Sequence, residues 1–559
     1  MVRATPLPPA PSGIAMTNDG RLLYVTCGAP ASVVCIIEAA TGTVVGQFPA
    51  GHTALAPVLS PDGKALFVCN RFDNAVEIFD LATRRSVARI AVPREPVAAA
   101  LTPDGRHLFV ANHLHNGRAD ADYVAASVSV IDVAGRRIAK ELRLPNGSGL
   151  LRDVRISPNG RYACVTHLLS RFHLPTTQLE RGWINTNALT LIDVAAVEVV
   201  NTVLLDTVTS GAANPWAASW SADGRTLCVT HAGTHEVSVI AADALLKKLL
   251  ALPCCSGDAP SSESGLALQT IPDVPNDLGF LVGLRRRVKL EGNGPRAIAV
   301  VGSTAYVAHY FSDTVSVVDL SAPGTLPVSI ALGPPPKISE VRRGEILWND
   351  ASICFQGWQS CSSCHSSDAR VDGLNWDLLN DGIANPKNAK SLLYSHRTPP
   401  AMWTGVREDA RAAVRAGLKY ILYTSRPPAD AQALDAYLDS LRPIPSPHLV
   451  RGQLSAAAQR GQKIFASEKA ACVQCHSGEY FTDLKPHDVA TAGAFDLPAE
   501  AFDTPTLVEL WRTAPYLHDG SAATMREVLT TRNADNRHGD TRHLTPQQIG
   551  DLAEYLLSL

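Results

Sequence analysis

The sequence predicts a multidomain chain, an all-β propeller of six visible repeats (six or seven blades) followed by an all-α region built as a tandem pair. Three observations carry this. A turn-plus-strand phrase recurs six times before residue 335, alternating spacing gives way to helical spacing after Pro334-Pro-Pro-Lys337, and the remainder holds a longer repeat centred twice on a C-x-x-C-H pentapeptide. The domains expected are 1–335, 336–445 and 446–559. A chain of 559 residues is long enough to bury several separate cores.

The short repeat begins at Asn18-Asp-Gly-Arg, Pro61-Asp-Gly-Lys, Pro103-Asp-Gly-Arg, Pro158-Asn-Gly-Arg and Ala222-Asp-Gly-Arg, with a degenerate sixth copy at Val301-Gly-Ser-Thr. Asp-Gly and Asn-Gly supply the positive φ angles of tight hairpins. Each turn leads into a short apolar strand, and a second alternating strand follows in the simpler units, as in Ala75-Val-Glu-Ile-Phe-Asp80 and Thr314-Val-Ser-Val-Val-Asp319. Four strands in about forty residues is the spacing of a propeller blade. A generic sandwich would not repeat its turn chemistry in this way. A seventh blade could draw on the terminal segments or on 278–290. Insertions at 113–123, 168–187 and 245–287 are expected on one face, where they would meet the second part of the chain.

Tyr24-Val-Thr, Phe109-Val-Ala-Asn112 and Ser127-Val-Ser-Val-Ile-Asp132 resemble the YVTN-repeat family of propellers over roughly residues 10–335. The residues closing the second strand of each unit are Cys27, Asn70, Asn112, His167, His231 and His309, all on one rim. His167, His231 and His309 from three consecutive units could hold a metal. Strand-end polar residues more often satisfy nearby backbone groups, and that reading is preferred.

In the second part, Cys361-Ser-Ser-Cys364-His365 and Cys472-Val-Gln-Cys475-His476 carry the chemistry. In C-x-x-C-H the two thiols add to the vinyl groups of one haem and the histidine becomes an axial ligand to iron. A shared zinc site would need the pairs far closer together and leaves the histidines unexplained. Two covalently bound haem c groups are therefore expected. A calcium ion is compatible with the reading, and a second metal in the propeller is disfavoured.

Arg343-Gly-Glu-Ile-Leu-Trp348 precedes the first pentapeptide and Arg460-Gly-Gln-Lys-Ile-Phe465 the second; the halves end in Leu434-Asp-Ala-Tyr-Leu-Asp-Ser-Leu441 and Leu552-Ala-Glu-Tyr-Leu-Leu-Ser-Leu559. These apolar-faced helices around a haem motif look like the cytochrome c fold, with Arg442-Pro-Ile-Pro-Ser-Pro447 as a stiff linker between copies. Met402-Trp-Thr-Gly405, Phe502-Asp-Thr-Pro-Thr-Leu507 and Ala514-Pro-Tyr-Leu-His-Asp-Gly-Ser521 resemble the bacterial dihaem cytochrome c peroxidase superfamily, which includes the MauG-like maturation enzymes. The resemblance implies that Trp403 lies between the haems and assists electron sharing. It also implies a catalytic glutamate after the Trp-Gly motif, where this chain has a helical stretch from Arg407 to Gly417; Glu408 or Asp409 would have to stand in.

Sixth ligands decide which iron reacts. His396 and Met402 are the candidates in the first half; Met525, His538, His543 and His518 are those in the second. The reading favours His396 and His538, and takes His518 as structural.

Charged residues make up 18% of the chain and the net charge is −3, which points to no nucleic-acid partner and no anionic membrane surface. No run is apolar enough to span a bilayer, and no secretory leader is visible, although haem attachment to C-x-x-C-H belongs outside the cytoplasm. A trimmed leader or a misplaced start would reconcile the two, giving a periplasmic or extracellular protein. Of the twelve cysteines, eight lie outside the pentapeptides, mostly in apolar strand patterns, and read as small buried hydrophobes. The expected function is a peroxidase-like or MauG-like oxidoreductase, with a redox partner protein or small redox substrate. The alternative is a non-catalytic electron-transfer cytochrome whose propeller is a docking or metal-binding platform.

Overall fold

The structure, a computed structural model, describes residues 4–173, 184–253, 270–335, 337–377 and 385–559. Its first part consists of six four-stranded antiparallel sheets, each made of strands consecutive in sequence. Blade one is Pro11–Met16, Leu22–Cys27, Val33–Glu38 and Thr43–Pro49. Blade two is Ala54–Leu59, Ala65–Asn70, Ala75–Asp80 and Arg85–Ala91. Blade three is Pro96–Leu101, His107–Asn112, Ser127–Asp132 and Arg137–Arg143. Blade four is Ser148–Ile156, Tyr162–Ser170, Asn185–Asp193 and Glu198–Leu204. Blade five is Pro215–Trp220, Thr226–His231, Glu236–Ala241 and Arg285–Lys289. Blade six is Pro295–Val301, Thr304–His309, Thr314–Asp319 and Val328–Ala331.

The stretch 278–290, a candidate for a seventh blade, instead supplies the outer strand of blade five. That strand is separated from its sheet by helix α1 (Ala242–Leu250) and a short 3-10 turn at Ile271–Asn276. Period-two alternation lets each middle strand feed two interfaces: Tyr24, Val34 and Ile36 of blade one pack with Leu66, Val68 and Phe79 of blade two. Blades one and six keep their outer faces open. Ile14 (64%) and Met16 (59%) on one side and Val301 (66%) and Val328 (63%) on the other are exposed.

The second part is helical and duplicated. In the first unit, α2 (Glu340–Asn349) crosses α4 (Pro428–Ser440), with α3 (Ala410–Ala416) between them in sequence; in the second, α5 (Ala456–Phe465) crosses α7 (Pro546–Leu557), with α6 (Met525–Leu529) between. Ser339, Ser455 and Thr545 cap their helices by accepting from the backbone N–H of Arg342, Ala458 and Gln548. Leu347, Trp348, Leu434, Tyr437 and Leu438 form the core of the first unit, and Phe465, Met525, Leu552, Tyr555 and Leu556 that of the second. Among the described residues no helix is long and apolar enough to cross a membrane.

The helical part sits on one rim of the propeller. The first insertion reaches it: His115 Nε2–H donates to Gly373 O (2.7 Å) and Ala119 N–H to Gly520 O (2.9 Å). The second does so through Asn185 and Asn187, residues 174–183 of it lying outside the described residues. The third corrects the expectation, since its described part folds back on blade four, where Asn201 Nδ2 donates to Ile271 O (2.9 Å). Cys27, Cys35, Cys69, Cys164, Cys228 and Cys354 are buried and unbridged; Cys254 and Cys255 fall outside the described residues.

Candidate haem centres

Each pentapeptide begins on a single 3-10 turn, Cys361–Ser363 and Cys472–Gln474, which follows α2 or α5 after a short loop and turns the histidine inward. His365 Nδ1–H donates to Lys390 O (3.0 Å), and His476 Nδ1–H donates to Phe481 O (3.0 Å). A carbonyl can only accept, so in both rings the proton is on Nδ1 and the lone pair on Nε2, as an axial ligand requires. Burial lowers the pKa of both rings, which keeps them neutral. Trp348 backs His365 at 6.0 Å between ring centres and is itself fixed by Nε1–H donation to Ser366 O (3.1 Å).

In the second unit, His538 faces His476 with ring centres 6.3 Å apart and planes 35° from parallel. A metal–imidazole bond of about 2.0 Å plus about 1.2 Å from nitrogen to ring centre, taken on both sides, gives about 6.4 Å, so this spacing suits one iron between two imidazoles. Burial, and then His476, push His538 down to about 4, leaving it neutral. Its buried Nδ1 has no partner among the described residues. The other candidates are engaged elsewhere: Met525 packs in the helical core, His543 Nδ1 lies 3.4 Å from Asp540, and His518 Nε2 pairs with Asp496 (2.7 Å) while stacking on Phe502.

The first unit differs. His396 is turned onto α4, its Nε2 against Asp435 Oδ1 (2.9 Å) and its Nδ1 3.4 Å from Ser395 Oγ. Asp435, also held by Arg415, captures Nε2, which turns the ring away from the role of a ligand opposite His365. Met402 is half-buried in the loop leading to Trp403.

Trp403 joins the two units. Its Nε1–H donates to Asn388 O (2.7 Å), its carbonyl accepts from Asp503 N–H (2.7 Å), and His518 meets its ring edge-on at 6.5 Å. Lys390, whose carbonyl holds His365, lies over the Trp403 ring at 4.9 Å and pairs with Asp503 (2.8 Å). Glu408 is exposed and Asp409 is the N-cap of α3, accepting from Ala412 N–H (2.8 Å), so the helix start takes the carboxylate pair.

The rim histidines stay within their own blades. His231 Nε2 meets Ser238 Oγ (2.7 Å), His309 Nε2 meets Ser316 Oγ (2.8 Å), and Asn70 Nδ2 donates to Glu77 (2.8 Å), in each case seven residues on and on the next strand. His167 Nε2 meets Thr190 Oγ1 (2.8 Å) in the same way. The three rings satisfy strand ends and do not gather as a metal site. Among the described residues the one group of three metal-ligand side chains within reach of each other is Cys475, Asp483 and His487, beside the second pentapeptide.

Residues that sequence reasoning missed grip the first pentapeptide from the propeller. Asn185 Nδ2 donates to Gln359 Oε1 (3.1 Å) and to Cys364 Sγ (3.4 Å); Asn214 Nδ2 donates to Ser360 Oγ (2.9 Å), and Asn214 Oδ1 accepts from Ser363 Oγ (2.8 Å). Gly211 N–H donates to Gln356 O (2.9 Å), at a point where a Cβ would strike the backbone of Gly357 and Trp358. Two asparagines and a few serines give no periodic signal, so only the proximity of an insertion to the repeat hinted at this contact.

Paired C-x-x-C-H turns in duplicated helical units define a c-type cytochrome with peroxidase-like relatives, here joined to a propeller. The cytochrome c family matches residues 458–559. The gamma subunit of hydrazine synthase from Kuenenia stuttgartiensis is 31% identical over 278 residues, covering 40% of this chain and 79% of that subunit, and the chain belongs to its family. The beta subunit from the same organism is 29% identical over 194 residues, 34% of this chain; the chain spans 46% of that subunit's length. The methylamine utilization protein MauG of Methylophilus methylotrophus is 27% identical over 245 residues, covering 35% of this chain and 73% of MauG.

Proposed function

We propose that the chain is an exported dihaem c-type oxidoreductase, with the haem of Cys361, Cys364 and His365 as the reacting centre and that of Cys472, Cys475 and His476 as the electron-transfer centre. The observation that carries this is the contrast between the sixth positions: His538 stands 6.3 Å from His476, while His396 is bound to Asp435. Bound haem supplies one-electron chemistry and, where a coordination position is open, reaction with peroxide or dioxygen.

The chain's own groups orient and insulate that chemistry. His365 and His476 present Nε2 because Lys390 and Phe481 hold Nδ1–H. Trp403 bridges the segment holding His365 to Asp503 and His518 of the second unit, which supports a role in electron sharing. Glu408 is exposed and Asp409 is spent as the N-cap of α3, so neither carboxylate is held in place as a proton acceptor, which favours a slow consumer of peroxide acting on a second substrate or partner over a fast peroxidase.

Absorption and electron paramagnetic resonance spectra of the ferric protein, with and without peroxide, test this. We expect one high-spin and one low-spin signal, the high-spin one lost on adding peroxide. His538→Ala should convert the low-spin signal to high-spin. Two low-spin signals and no response to peroxide would establish the non-catalytic electron-transfer reading instead.

A further inference from the structure

The innermost strand of each blade borders the central channel of a propeller, and each carries an irregularity in its pairing at the end facing the haem units. In blades four, five and six these irregularities fall at 149–153, 215–218 and 295–297. Within them stand Arg152, Trp216 and Arg296. The Arg152 guanidinium lies 4.1 Å from the centre of the Trp216 ring and that of Arg296 lies 4.2 Å from it; Arg296 also stacks on Tyr310 at 4.2 Å. Three consecutive blades thus assemble two cations on one indole.

Nearby charges are paired with each other. Glu95 takes Arg71 (2.7 Å), and Asp368 takes Arg512 (2.6 Å). Arg152 has no carboxylate partner and makes no hydrogen bond among the described residues, and Arg296 has only the neutral Asn349 Oδ1 (3.1 Å), its Nε being buried without an acceptor. Cation–π stacking contributes about 0.5–2 kcal/mol and leaves the in-plane N–H donors unused. A guanidinium inside a protein needs acceptors for those donors and a counter-charge. Burial, then Arg296 and Arg71, lower Arg152 to about 9 against the pull of Asp368 and Glu95, and burial lowers Arg296 to about 10 against that of Tyr310 and Glu345. Both side chains are half-buried.

We propose that Arg152 and Arg296, with Arg71 beside them, form a binding site for a small inorganic oxyanion of the phosphate or sulfate class, at the mouth of the propeller channel behind Trp348 and His365. The guanidinium fork matches two oxygens of a tetrahedral anion, which a lysine would not do. Asn349 belongs to α2, one residue beyond Trp348, so its contact with Arg296 ties the site to the first helical unit. A haem propionate shares this chemistry, and the test separates the two.

Calorimetric titration of the fully haem-loaded protein with inorganic phosphate, in a non-coordinating buffer and against sodium chloride of matched ionic strength, reads the site directly. Saturable phosphate binding is expected, falling about tenfold or more in Arg152→Gln, since a hydrogen bond to a charged group contributes about 1.5–3 kcal/mol. Arg152→Lys keeps the charge and serves if the glutamine variant misfolds; its affinity should also fall. Absence of saturable binding would mean that a propionate or water satisfies the arginines and would overturn the proposal. Unchanged affinity in both variants would do the same.

Discussion

Gly344 and Gly461 occupy the same place in the two helical repeats, at the points where α2 meets α4 and α5 meets α7. A Cβ on Gly344 would overlap Ala433 O and lie 2.7 Å from Tyr437 Cβ; on Gly461 it would overlap Asp551 O and lie 2.8 Å from Tyr555 Cβ. Alanine gains about 1 kcal/mol of helix propensity over glycine, whereas forced overpacking against backbone costs up to about 3 kcal/mol. Gly344→Ala should therefore lower stability by about 2 kcal/mol, read as a fall in Tm. Gly417→Ala, at a helical position with open space around it, should instead raise it slightly. The repeated Arg-Gly phrase was legible in the sequence and the helices followed from it. The role of the glycine was not, because close approach depends on a distant partner, Ala433 for Gly344 and Asp551 for Gly461.

Blade turns show how far a local pattern reaches. Behind the Asp-Gly and Asn-Gly dipeptides stands a Ser or Thr two residues earlier: Ser60 with Asp62, Thr102 with Asp104, Ser157 with Asn159 and Ser221 with Asp223 share hydrogen bonds of 2.6–2.7 Å. The same hydroxyl then accepts the backbone N–H that opens the next strand, as Tyr162 N–H to Ser157 Oγ (3.0 Å). The dipeptides announced the hairpins; the hydroxyls behind them complete the turn and were overlooked. Ser157→Ala strands that buried N–H and should cost about 1–3 kcal/mol in a thermal or urea melt. Arg285–Lys289 was illegible as a strand for the opposite reason. Three arginines in a row lack alternation, and an insertion separates them from the sheet they join.

Across the molecule the three parts meet at one charged node. Arg512 of the second helical unit pairs with Asp368 of the first (2.6 Å) and stacks on Phe72 of the propeller at 4.5 Å; Arg94 of the propeller donates to Arg512 O (3.0 Å), and Arg370 pairs with Glu509 (2.6 Å). Trp511 adds an apolar contact, edge-on to Phe72 at 5.0 Å. Burial alone would raise the Glu95 pKa, but Arg71, Arg512 and Arg94 together hold it at about 2, below its ordinary 4.5. A depressed carboxylate stabilises the fold above its unfolded pKa, and that stability is lost as pH falls from 4.5 toward 2. Scanning calorimetry should show Tm falling through that window. In Glu95→Gln the fall should be shallower, and stability at neutral pH lower, since three arginines lose their counter-charge. The contacts that join one part to another, such as Arg512 with Asp368 and Arg94 with Arg512, link residues far apart in sequence, which is why the fold classes were readable and their contact was not.

The grip of Asn185 and Asn214 on the first pentapeptide also imposes an order of assembly. Ser362 and Ser363 are buried, and Cys364 Sγ accepts from a propeller side chain, whereas among the described residues the second pentapeptide has no such clasp and its Val473 and Gln474 are exposed. Thioether formation needs both thiols and a haem edge to approach an unfolded loop. With haem held at both pentapeptides, as proposed, attachment at the first would precede docking of blades four and five, while attachment at the second could follow it. Pulse-chase analysis of haem-stained protein should find partly matured chains bearing haem at the first site before the second, and Asn185→Ala with Asn214→Ala should relax that order.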